Sequence, residues 1–131
     1  MPRWYMPLAV AGVPPDYFSA TGQRWGNPLY DWSVHRQEGF KWWVRRVGSA
    51  LRRCDLLRLD HFRALESFWR IPAHDPDATT GSWVPGPGRA FFDALQVQLG
   101  HLPLLVEDLG TIDEQVKALR DSYQLPGMCV L

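Results

Sequence analysis

Asp60, Glu107 and Asp108 each follow a short apolar run, Leu56–Leu59 before the first and Leu102–Val106 before the others. Runs of that length bounded by acidic or turn residues read as buried strands, and acids at strand carboxyl ends occupy the edge where α/β sheets build their sites. Alternation along the first strand puts Leu56, Arg58 and Asp60 on one face and Leu57 and Leu59 on the other, while the same parity aligns Leu105 with Glu107. A guanidinium beside Asp60 favours the ionised form that a nucleophile needs. Two carboxylates projecting from neighbouring strands suit glycoside chemistry, one attacking an oxocarbenium-like carbon and the other protonating the departing oxygen. Acids at strand ends also serve as helix caps or ion-pair partners, so the pair alone leaves both readings open.

Other chemistries have less support. His35, His61, His74 and His101 show no HExxH-type spacing, so a metal hydrolase is not indicated and no metal site is expected. Residues 85–88, PGPG, resemble a phosphate loop only superficially, because the third glycine is missing and Pro87 lacks an amide. GxSxG is absent and neither cysteine neighbours a histidine, so Ser or Cys nucleophiles are unsupported.

The elements that must carry Asp60 and Glu107 alternate in type. Phe40, Trp43, Val44, Val47, Leu51 and Cys54 recur at steps of three and four, with Lys41, Arg45, Arg46, Arg52 and Arg53 between them. That is an amphipathic helix whose basic side reads as a solvated flank rather than a phosphate patch. Phe91, Phe92, Leu95 and Leu99 mark a second helix ended by Gly100. Thr111 with Glu114 reads as a capping box before a third helical face formed by Ile112, Val116, Leu119 and Tyr123. Pro126-Gly127 then turns the chain into a last apolar strand, Met128–Leu131. Strands separated by helices imply parallel pairing through right-handed crossovers. Residues 13–32 carry Gly, Pro, Asn and Asp turn signals without apolar periodicity and predict a long loop loaded with Tyr17, Phe18, Trp25 and Tyr30.

The 131 residues bound the chain to one ordinary domain or a piece of a larger one, with no second domain. Lys plus Arg and Asp plus Glu are 14 each, leaving no cationic footprint for nucleic acid or anionic lipid. The 22 Gly and Pro residues exceed the roughly 12% usual for the pair and imply shaped loops. The 7 Trp imply either a large core or surfaces that stack on flat ligands such as sugar rings. Two distant cysteines make no disulfide scaffold. No run is long enough for a membrane span, and Met6–Val13, broken by Pro7 and stopped at Pro14-Pro15, falls short of a secretory signal. The chain therefore reads as cytoplasmic.

Several long motifs, in order, carry a specific likeness. The stretch VAGVPPDYFSATGQRWGNPLYDW, the strand DLLRLDHFR, FWRIPA followed by GSWVPGPG, and LLVEDLG followed by LPGM strongly resemble the amylomaltase family of 4-α-glucanotransferases, from about Leu8 to Leu131. The resemblance implies an α/β fold that is part of a (β/α)8 TIM barrel, about three βα units with a long aromatic-rich loop. It also implies retaining transfer of α-1,4-glucan segments from a donor to an acceptor glucan or glucose by double displacement, without a cofactor. By the same resemblance Asp60 matches the nucleophile and Glu107 the general acid/base. Arg58 and His61 match residues beside the reactive sugar, and Tyr17, Phe18, Gln23 and Trp25 match a mobile loop over the glucan groove. The expected partners are α-1,4-glucans such as maltooligosaccharides and amylose. The family also uses a third carboxylate from a His-Asp-Asn type motif absent from residues 1–131, and the opening MPRWY departs from the family pattern. Residues 1–131 therefore read as a fragment of a single catalytic domain, inactive alone, the rival being a noncatalytic α-glucan-binding fragment.

Overall fold

The computed structural model describes residues 6–130, so Arg3, the opening MPRWY and Leu131 lie outside the described residues. The chain divides into two compact units. One comprises the residues up to Tyr30 with Ser67–Pro85; the other comprises Asp31–Glu66 with Gly86 onward.

The first unit is an antiparallel sheet. Strands β1 (Ala9–Val13), β2 (Gln23–Pro28), β4 (Ser67–Pro72) and β5 (Ser82–Pro85) lie in the order β2-β1-β4-β5. Val10 pairs with Ile71, and these two with Ala78 form a small core against which Trp69 and Ala73 pack. The indole N–H of Trp69 donates to the Ala78 carbonyl at 2.9 Å, pinning residues 75–81 to the sheet. The predicted loop over residues 13–32 is corrected here: β2 occupies its second half and pairs with β1 around a register shift between Val10 and Gly12. Every β2 residue is exposed, so the strand exists by hydrogen bonding to β1 and leaves no apolar alternation to read. Gly12 is required in β1, because a Cβ there would run into the Gln23 carbonyl.

The second unit holds the larger core. Helix α1 (Trp32–Gln37) starts at Asp31, whose Oδ1 accepts from the amides of Ser33 at 3.1 Å and Val34 at 3.3 Å. Helix α2 (Lys41–Leu51) buries Trp43 and Val47 and turns its basic residues outward. It stops short of Cys54, which is exposed, so the helical face is one turn shorter than its spacing suggested. Strand β3 (Leu57–Leu59) leads into a single 3-10 turn, Phe62–Leu65. Helix α3 (Arg89–Leu99) contributes Phe91, Phe92 and Leu95, all fully buried, and ends at Gly100 with φ 71°. Strand β6 (Leu104–Val106) precedes α4 (Glu114–Ser122), whose buried Val116 and Leu119 close the cluster. The cap of α4 is Asp113, which accepts from the Val116 amide at 2.9 Å, so the Thr111–Glu114 capping box is not the one used.

β3 and β6 pair in parallel, with Leu57 opposite Leu104, Arg58 opposite Leu105 and Leu59 opposite Val106. The expected parallel pairing of these two strands is found. The expected third strand is not, since residues 128–130 have no regular secondary structure and belong to no sheet. The fold is therefore mixed α/β, with a two-stranded parallel sheet where about three βα units were expected, and no closed barrel among the described residues.

Candidate active site

The acidic edge of the β3–β6 sheet follows from strand alternation. Leu57 and Leu59 pack on the core, which leaves Arg58 and Asp60 on the opposite face. There they form an ion pair, Arg58 Nη2 to Asp60 Oδ1 at 2.7 Å, with side chains 51% and 71% exposed. Past Asp60 the backbone enters the left-handed region at His61, φ 50° and ψ 54°. A non-glycine residue there costs roughly 1–3 kcal/mol and persists only where its surroundings hold it. Glu107 supplies the hold. Its Oε2 accepts from the His61 amide at 2.9 Å, its carbonyl accepts from the Phe62 amide at 2.9 Å, and its own amide donates to the Leu59 carbonyl at 2.9 Å. Its other oxygen, Oε1, accepts from the Leu109 amide at 2.8 Å. Backbone donors on both oxygens fix the carboxylate over the carboxyl end of β3.

A second tie crosses the same edge. Buried Arg63 donates from Nη1 to the Thr111 carbonyl at 2.9 Å and meets Asp113 Oδ2 at 3.4 Å, joining the 3-10 turn to the start of α4. Burial holds the His61 imidazole below its usual range. Glu107 opposes that shift, Arg63 adds to it and Asp60 opposes it. Burial thus favours the neutral ring although two carboxylates lie close enough to oppose it.

The structure brings Arg58, Asp60, His61 and Glu107 to one strand edge. Tyr17, Phe18, Gln23 and Trp25 belong to the first unit. Tyr17 and Phe18 are almost fully exposed at the β1–β2 turn, their rings edge to face at 5.7 Å. Asp16 Oδ1 stiffens that turn by accepting from the amides of Phe18 and Ser19, each at 2.8 Å. The Trp25 indole donates to Gln23 Oε1 at 3.0 Å.

Sequence reasoning named Asp108 only as an acid at the strand end and passed over two partners at the edge, Arg120 and Met128. Asp108 pairs with Arg120 at 2.6 Å and accepts from the Met128 amide at 2.9 Å, while Met128 Sδ accepts from Arg58 Nε at 3.3 Å. The available signal was the second acid after β6 together with LPGM, two motifs noted separately. A hollow of about 630 Å³ on the outer face of α2, lined by Trp42, Arg45, Arg46, Ser49 and Arg53, contains none of these residues. Among the described residues no group of three or more His, Cys, Asp or Glu is placed to hold a metal ion. No helix among them is long and apolar enough to cross a membrane.

A family model described as 4-alpha-glucanotransferase matches residues 2–131. The chain is 53% identical over 136 residues to the 4-alpha-glucanotransferase of Thermus thermophilus, covering 99% of this chain and 27% of that one. It is 50% identical over 125 residues to the chloroplastic/amyloplastic 4-alpha-glucanotransferase of Solanum tuberosum, covering 95% of this chain and 22% of that one. The structure of an amylomaltase from Streptococcus agalactiae in complex with acarbose superposes with a TM-score of 0.92 at 42% identity, covering 97% of this chain and 26% of that one. The chain thus spans about a quarter of the length of the relatives it matches.

Proposed function

This chain belongs to the 4-alpha-glucanotransferase family, and from that premise we propose that its β3–β6 edge carries the reacting carboxylates of a retaining α-1,4-glucan transferase. Glu107 protonates the oxygen of an α-1,4 bond as Asp60 attacks the anomeric carbon, giving a covalent glucosyl–Asp60 ester and a departing glucan. Glu107 then takes the proton from the 4-hydroxyl of an acceptor glucan or glucose, whose oxygen displaces Asp60 with net retention.

The observation that carries this reading is the register. Asp60 and Glu107 each follow directly on a β3–β6 pair in parallel register, and adjacent strands lie about 4.8 Å apart. Retaining glycosidases separate their two carboxyl groups by about 5–5.5 Å, a separation within reach of side chains on adjacent strands. Arg58 and His61 flank the reacting sugar, the first pairing with the nucleophile, the second presenting a neutral ring. Tyr17, Phe18 and Trp25 bind glucan by stacking their rings on sugar faces, and Gln23 by hydrogen bonds to sugar hydroxyls. On this reading both units are parts of one catalytic (β/α)8 TIM-barrel domain, with β3 and β6 neighbouring barrel strands, acting on maltooligosaccharides and amylose. Two free, exposed cysteines, Cys54 and Cys129, suit the cytoplasm.

The test is covalent capture. Incubation of a full-length enzyme that carries these residues with 5-fluoro-α-glucosyl fluoride, whose second displacement is slow, adds a fluoroglucosyl mass to the peptide containing Asp60, and Asp60→Ala abolishes that label. A label on another residue of a transferring enzyme would overturn the assignment. Glucan binding with no label and no transfer would leave a noncatalytic glucan-binding protein.

A further inference from the structure

Building on the proposed function, we propose that Asp108 is a positioning residue for the nucleophile: it clamps the segment Leu125–Met128 so that Met128 seats Arg58 against Asp60. The Asp108 side chain is only 7% exposed although it directly follows the exposed acidic edge. A buried carboxylate is costly unless it is paired and hydrogen-bonded. Its partners account for it. Arg120 Nη1 lies 2.6 Å from Oδ2, and the Met128 amide donates to Oδ1 at 2.9 Å. Gly127 completes the clamp, because any Cβ there would meet the Asp108 carboxylate; the backbone has to approach that closely. The segment is further tied to β6 by the Val106 amide, which donates to the Pro126 carbonyl at 2.9 Å, and by buried Leu125.

Met128 connects this clamp to the reacting pair. Its sulfur lies 3.3 Å from Arg58 Nε, and Arg58 Nη2 holds Asp60 Oδ1 at 2.7 Å. A thioether is a weak acceptor, but its partner here is the charged guanidinium. A half-exposed arginine has many rotamers, and the sulfur beside Nε favours the one that points the guanidinium at Asp60. Burial alone would raise the Asp108 carboxyl, but the Met128 amide and Arg120 outweigh it and hold the group below the ordinary carboxylate range. The clamp is therefore charged and closed at neutral pH.

The test measures kcat and KM for glucose release from maltotriose by a full-length enzyme that carries these residues, in Met128→Leu, Asp108→Asn and Arg58→Lys, singly and combined, with Asp60→Ala alongside. Met128→Leu keeps side-chain volume and removes the sulfur. Asp108→Asn keeps an acceptor for the Met128 amide and loses the charge facing Arg120. Each should lower kcat about tenfold with KM within about twofold, the mark of misplaced reacting groups. In the Arg58→Lys background, each should cost less than about twofold more, because the route through Arg58 is already broken. If Asp108→Asn fails to fold, Met128→Leu alone decides the matter. A kcat within twofold of wild type for Met128→Leu, or losses that multiply independently of Arg58, would overturn the positioning role while leaving the glucanotransferase reading intact. Near-normal turnover in Asp60→Ala would instead remove the reading on which the role rests.

Discussion

Glu107→Gln tests two roles of one side chain at once. In the native edge both carboxylate oxygens accept backbone amides, His61 at 2.9 Å and Leu109 at 2.8 Å. A carboxamide offers one oxygen and one NH2, so one of those amides must face another donor. Hydrogen bonds to charged groups contribute about 1.5–3 kcal/mol, and water reaches the exposed Leu109 side more easily than the His61 side. The amide oxygen should therefore turn to His61, with a net loss of about 1–2 kcal/mol. That corresponds to a few degrees in melting temperature. The chemical loss is separate: removing a general acid costs about 10²–10⁴ in kcat on an ordinary glucan donor. The assay, on a full-length enzyme that carries these residues, compares maltotriose with α-maltosyl fluoride, whose leaving group needs no proton. If Glu107 were only a proton carrier, the fluoride would restore first-step turnover fully. Because Glu107 also holds the left-handed His61 turn beside Asp60, restoration should fall short by about tenfold or less and be accompanied by the lower melting point. Full restoration together with an unchanged melting temperature would refute the structural half of this reasoning; a kcat on maltotriose within tenfold of wild type would refute the chemical half.

Three further outcomes follow from the second unit. Phe92→Ala removes a fully buried ring lying 5.1 Å from Phe91 and 4.9 Å from Tyr123, and should cost about 3–5 kcal/mol in urea unfolding. A loss under 1 kcal/mol would mean that the core is loosely packed there. Burial, countered by Glu107, seconded by Arg63 and countered again by Asp60, leaves the folded-state His61 pKa below the ordinary imidazole range. The unfolded chain then binds the proton more readily, so stability is full above about pH 6.5 and declines as pH falls toward the folded value. His61→Gln should flatten that acid limb, and an unchanged slope would count against it. Burial and Asp93 push the Tyr123 hydroxyl up to about 12, so its stabilisation is intact below pH 10 and lost as pH rises toward 12. Tyr123→Phe, which removes the 2.6 Å bond to Asp93, should cost about 1 kcal/mol at pH 8 and abolish the alkaline decline.

The parts of the fold legible in the sequence are those where burial writes a period. Phe40, Trp43 and Val47 mark α2 and its face; Phe91, Phe92 and Leu95 do the same for α3. The parallel pair was legible because Leu57 and Leu59 alternate with Arg58 and Asp60. β1, β4 and β5 were not anticipated, because a sheet whose core is little more than Val10, Ile71 and Ala78 leaves most positions free to be polar. β2 was hidden for the stronger reason that all six of its residues are exposed. The cap at Asp113 was missed because Thr111–Glu114 satisfies the same spacing rule, and only the observed amide direction separates the two.

The candidate site shows the same division between pattern and contact. The types and parity of Arg58, Asp60 and Glu107 are local properties of the strands, and they survive the passage from sequence to structure. What orients them is not local. The His61 turn is held from 46 residues away by Glu107, and Arg58 is met from 70 residues away by Met128. A strand end fixes where a side chain begins, within the spacing of the sheet, but a half-exposed Arg58 and a mostly exposed Asp60 have too few packing neighbours to fix where they end. Those endpoints are set by backbone amides on Glu107 and by the buried charge of Asp108 behind Met128. Damage to the reaction from Met128→Leu should accordingly exceed damage to stability. Met128 is not part of the Phe62–Phe91–Phe92 cluster, while it lies on the path that ends at Asp60.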